Sequence, residues 1–110
     1  MLPEIHTFID KAELEKYIQF HNTNPEAGTI REIRLTMVEV SMDEFEFATR
    51  ASIWIGGRTQ EVYLKSFKEK TMKTYKHLRG AYDNLRSSGW YGDITIEGVV
   101  KLQEPFSDLV

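Results

Sequence analysis

Between Ile30 and Leu64 hydrophobic and polar residues alternate with a period of two, and beyond Ser66 the apolar positions recur every three or four residues. The first pattern predicts a meander of three strands, the second an amphipathic helix. In the first strand Ile33, Leu35 and Met37 face one way, while Arg34, Thr36 and Val38 face the other. Ser41-Met42-Asp43-Glu44 turns the chain. The second strand directs Phe45, Phe47, Thr49, Ala51, Ile53 and Ile55 inward and Glu46, Ala48, Arg50, Ser52 and Trp54 outward. Gly56-Gly57 permits the positive backbone angles of a tight hairpin, after which Val62 and Leu64 point in and Glu61, Tyr63 and Lys65 point out.

Helix signals flank this meander. Asp10 and Glu13 have the spacing of a capping box, with Ile9 and Leu14 placed as a hydrophobic staple, so a helix starts after Asp10. Its inner stripe is Leu14, Tyr17, Ile18 and His21, and Asn24-Pro25 ends it. Ser66 and Glu69 repeat the capping box. Met72, Tyr75, Leu78, Tyr82 and Leu85 then form a second stripe that stops at Ser87-Ser88-Gly89. A short strand over Ile5–Ile9 and a last one carrying Ile94, Ile96, Val100 and Leu102, closed by Pro105, complete the reading. The expectation is a single α+β domain over residues 1–110, in the order β-α-β-β-β-α-β. Four or five antiparallel strands carry both helices on one face.

Composition agrees. A chain of 110 residues with 41% hydrophobic and 12% aromatic residues has enough apolar material for one core. It contains no cysteine, which excludes a disulfide framework, a thiolate zinc site and a cysteine nucleophile. The amino terminus has no basic start and no long apolar run, so a cytoplasmic protein that does not enter a membrane is expected.

Charge is unevenly spread. Lys65 to Arg86 holds seven bases against Glu69 and Asp83, a charge of +5, whereas the remainder carries -8 and the whole chain -3. Known reaction chemistry finds little support. His6, His21 and His77 lack the short-range pairing that metal ligation requires, and His21 falls on the apolar stripe, where a hydrogen-bonded structural histidine is the ordinary case. Glu44 and Glu46, next to Asp43, read as protection of a strand end, and Ser66 has no base beside it. Gly56-Gly57-Arg58 precedes a strand, whereas a phosphate loop must open a helix. No enzyme, metal or cofactor is expected.

Two surfaces remain as candidates. Arg50, Trp54, Tyr63 and Lys65 alternate out of the core on neighbouring strands and form the expected contact surface for a partner. Lys68, Lys73, Lys76 and Arg79 would make a basic row along the second helix, suited to phosphates, with Trp54 and Tyr63 stacking on bases. The order helix, three strands, lysine-rich helix over Asp10 to Arg86 resembles a double-stranded-RNA-binding domain in architecture alone. Glu69 interrupts the basic cluster which that family places at the start of its last helix, and Met72, Tyr75 and Tyr82 replace its small residues. The favoured expectation is a non-enzymatic, acidic protein-binding module of inhibitor, immunity or phage-accessory type. Its partner would be a protein, including one that itself binds nucleic acid. A homodimer through the outer sheet face is a variant of this reading, and an RNA- or DNA-binding domain is the alternative.

Overall fold

A computed structural model describes residues 7–66 and 72–101. The elements are β1 (Thr7–Ile9), α1 (Lys11–Thr23), a 3-10 turn (Pro25–Ala27), β2 (Ile30–Ser41), β3 (Glu44–Ile55), β4 (Arg58–Leu64), β5 (Thr74–Tyr75), α2 (Leu78–Ser87) and β6 (Thr95–Lys101). Five strands lie in the order β1-β4-β3-β2-β6, and β5 extends the β4 side by pairing with β3.

The expected purely antiparallel sheet is a mixed one. β1 runs parallel to β4 and β6 parallel to β2, while the β2-β3, β3-β4 and β3-β5 pairs are antiparallel. The reason lies in the helices. A helix crossing over the sheet returns the chain to the end where it started, so β1 and β2, which flank α1, point the same way; so do β4 and β6 across α2. Side-chain periodicity carries no information about direction.

The start of α1 follows its sequence. Asp10 is the N-cap, and its carboxylate accepts a hydrogen bond from the Glu13 N–H at 2.8 Å. Pro25 opens the 3-10 turn after α1, and Gly28 closes it in the left-handed conformation at φ 61°. Asp43, at φ 59°, and the Gly56-Gly57 pair, at 62° and 84°, make the two hairpin turns of the meander. The principal core lies between the helices and one sheet face. Leu14 and Ile18 of α1 and Ala81 and Leu85 of α2 pack with Ile33, Leu35, Ala51, Ile53, Val62 and Leu64. Both helices therefore cover the same face. No described helix is long and apolar enough to cross a membrane.

The second helix is shorter than its stripe predicts. Met72 bridges Lys65, and Thr74 and Tyr75 pair with Ala48 and Phe47, so the chain is extended until His77, the N-cap of α2. Sheet pairing outcompetes local helix preference here, and the Thr74 hydroxyl adds a bond to the Glu46 carboxylate. Glu69 of the expected capping box lies outside the described residues, as do Ile5, His6, Leu102 and Pro105.

Candidate binding site

The helix-free face of the sheet contains a lattice of charges. Cross-strand register sets Arg34 of β2 directly opposite Arg50 of β3, a repulsive pair unless each guanidinium finds an anion. Register supplies two. Glu61 on β4 lies opposite Ser52, and Glu97 on β6 lies opposite Thr36. Glu61 bonds both Arg34 and the Ser52 hydroxyl, and its carboxylate stands 3.1 Å from Arg50. Glu97 is 2.8 Å from Arg34 and 3.6 Å from Arg50, and accepts from the Thr36 hydroxyl. Across four strands, two adjacent cations on β3 and β2 are flanked by one anion on β4 and one on β6.

The lattice is well shielded, with the Arg34 and Arg50 side chains only 16% and 19% exposed. Burial works against the charge on Arg34, but Glu61, Glu97 and Glu32 outweigh it and raise its pKa above the ordinary arginine value. Burial likewise opposes the charge on Glu97, and the Thr36 hydroxyl with Arg34 and Arg50 reverses the balance, so its pKa falls below the usual glutamate range. The guanidinium groups thus spend their charge on neighbours within the fold.

The four residues expected to form one contact surface are separated. Arg50 belongs to the lattice. Tyr63, expected outward, does point to this face but is sealed at 1% exposure. It lies opposite Arg50, whose guanidinium stands 5.6 Å from the ring centre, and pairs on its other side with Phe8 of β1. With Val38, Ala48 and Met72 it forms a second, small core, and burial raises its pKa above 10.0. β1 closes the β4 edge, and a pairing made through an intervening helix leaves no mark in local alternation. Lys65 lines a cleft at the start of α1. Trp54 pairs with Thr59, four residues along β3 from Arg50, the residue opposite Tyr63, so the two rings are not cross-strand neighbours.

Trp54 remains open. It is 43% exposed, carries the Arg31 guanidinium 5.4 Å from its ring centre, and lines a shallow groove with Tyr17, Phe20 and Ala27. Phe20 is 51% exposed, and Glu13 and Lys16 rim the groove. The register shift in β2 between Ile30 and Glu32 falls at Arg31, on the strand paired with this end of β3. Phe20, Arg31 and Tyr17 were not marked by sequence as contact residues. Phe20 could have been: it is the large apolar residue of α1 that falls off the Leu14–Ile18 stripe.

The proposed basic row is not a helical row. Lys73 and Lys76 precede α2, Arg79 lies on it, and Lys68 lies outside the described residues. The nearby cations also have local partners. Lys73 stands 5.0 Å from the Tyr75 ring centre, Arg79 is 3.7 Å from Asp83, and Arg86 donates to the Trp90 carbonyl at 2.8 Å. His21 is structural, as its place on the stripe implied: its Nδ1 accepts from the Ile30 N–H at 3.3 Å and its ring packs on Trp90 at 5.2 Å. Trp90, a buried core residue missed by periodicity because it follows the helix stop, donates its indole N–H to the Asp93 carbonyl. No group of three or more metal-ligating side chains gathers among the described residues. Comparison with protein-family models, curated proteins and solved structures found no match to this chain.

Proposed function

We propose that this chain is a non-enzymatic binding module that docks a protein partner through the groove between α1 and the Trp54 end of β3. The supporting observation is the pairing of a half-open indole, under the guanidinium of Arg31, with an exposed phenyl ring in one groove. Tryptophan, tyrosine and arginine dominate the energetics of protein contacts because each offers a large, stiff surface with a polar handle. The acidic charge outside residues 65–86 favours a partner whose surface is basic around an apolar anchor. Inhibitor and immunity proteins of this size act by such docking, and that class is the form of the proposal.

The test is affinity capture from cells of the source organism with the native chain and with a Trp54→Ala/Phe20→Ala double variant of unchanged circular dichroism. One protein, retained in stoichiometric amount by the native chain and lost by the variant, supports the reading. Equal capture by both removes the groove from it. A native mass twice the monomer that halves in the variant would identify the partner as a second copy.

A further inference from the structure

The helices α1 and α2 finish at the same end of the molecule. There the Asn22 side chain donates to the Gly89 carbonyl at 2.9 Å, and the His21 ring rests on Trp90. On the α1 side of this junction lie Phe20 and Trp54, whose backbone N–H donates to the Thr29 carbonyl at 2.7 Å. On the α2 side lies Tyr91, 76% exposed. Three large side chains that open their apolar surface to water thus flank one end.

Tyr91 is exposed without being loosely held. The loop is tied on both sides of it. The Trp90 N–H donates to the Leu85 carbonyl, the Arg86 guanidinium donates to the carbonyls of Trp90 and Gly92 at 2.8 and 3.2 Å, and the Trp90 indole N–H donates to the Asp93 carbonyl at 3.1 Å. Gly92 packs so closely on the Trp90 ring that a Cβ added there would lie 2.7 Å from it. With its backbone fixed, the phenol has only two side-chain torsions left to order on binding, which suits it to anchor a contact.

Charge points to the occupant. Lys16 and Arg31 are exposed beside the Trp54–Phe20 groove, and Asp93 is exposed beside Tyr91. None of the three belongs to an ion pair among the described residues. Glu13, also on the rim, stands about two turns of α1 before Phe20. Because knob and groove share one end, a two-fold axis there makes both contacts at once, which is how an isologous dimer closes.

We infer that the groove takes a second copy of this chain: Tyr91 of each molecule enters the Trp54–Phe20 groove of the other, and Asp93 meets Arg31 and Lys16 at its rim. The inference rests on the groove being a docking surface, as proposed above, and adds the identity of its occupant. Each chain carries a charge of -3 and the contact is small, so association is expected only at high concentration.

The experiment is sedimentation equilibrium of the full chain from about 10 μM to about 1 mM, with nuclear magnetic resonance spectra over the same range. The mass should rise from one chain towards two, and the Trp54 indole and Tyr91 amide signals should move together as it does. Tyr91→Ser and, separately, Trp54→Ala/Phe20→Ala should each weaken association at least about tenfold. All three side chains are exposed, and the spectra verify that each variant is folded. Mixing the two variants should form a heterodimer tighter than either variant's own dimer, since it alone keeps one intact knob and groove. Asp93→Lys should weaken association as well, by setting a cation against Arg31. A chain that is monomeric throughout, a dimer unchanged by Tyr91→Ser, or a mixture no tighter than its components overturns the inference. The groove itself is then decided separately, by capture of a different protein with the native chain and the groove variant.

Discussion

The two faces of the sheet exclude water by opposite chemistry. On the helix side, aliphatic residues such as Ile33, Leu35 and Ile53 are fully excluded from water by packing. On the other side Arg34, Arg50, Glu61 and Glu97 are shielded by one another, with Thr36 and Tyr63 sealed among them. The first face needs only size and hydrophobicity, which many residue combinations satisfy. The second requires register: Arg34 and Arg50 are tolerable opposite each other only while Glu61 and Glu97 stay on the flanking strands. A one-residue slip of any of these strands would turn its charge towards the apolar core and break the lattice. The lattice thus specifies strand alignment.

The comparison predicts unequal costs. Leu35→Ala on the aliphatic side should destabilise by about 2–5 kcal/mol, since a fully buried side chain leaves a cavity. Chemical denaturation measures it. Glu61→Ala on the charged side should cost about 1–3 kcal/mol by removing one of the two anions that Arg34 and Arg50 share, and a cycle with Arg34→Ala should show positive coupling between the two sites. If the Glu61 change costs nothing, the lattice is ornamental. The N-cap substitution Asp10→Ala should cost about 1 kcal/mol, independent of either face.

Acid and alkali report on different groups. Glu97 has a folded pKa below its ordinary 4.5, so its contribution is present above that value and is lost as pH falls through the lower folded one. Tyr63 and Tyr75 have folded pKa values above 10.0, so the fold is favoured below that value and weakens as pH rises through the higher folded ones. Glu97→Gln should flatten the acid limb of a stability profile and leave the alkaline limb in place. The smallest effect is expected at Trp54→Ala, within about 0.5 kcal/mol, because its ring is already half open.

Much of this molecule could be read from its sequence, and the failures share a cause. The cap at Asp10, the meander, its two turns and the stop at Gly89 depend on residues near one another, and local chemistry specified them. The alternation assigned Tyr63 to the face away from the principal core, where it lies, whereas Trp54 shares a groove with Tyr17 and Phe20 of α1. It could not show that Phe8 and Arg50 would enclose one ring and leave the other open, because that depends on β1 closing the β4 edge. Ser66 and Glu69 have the spacing of a helix start, yet the described residues from Met72 to Tyr75 pair with the sheet, and Thr74 and Tyr75 do so with Ala48 and Phe47 far upstream. Glu97 drew no notice as one acid among seventeen, and only strand order gives it its partners.

The central claim is that contact with a partner occurs at the Trp54–Phe20 groove and that the charge lattice is closed to it. A photo-crosslinking residue placed at position 20, in the groove, and in a separate protein at position 95, on the lattice face opposite Arg34, tests this directly. The account predicts one discrete adduct in source cells from position 20 and none from position 95. An adduct formed only from position 95 would contradict it.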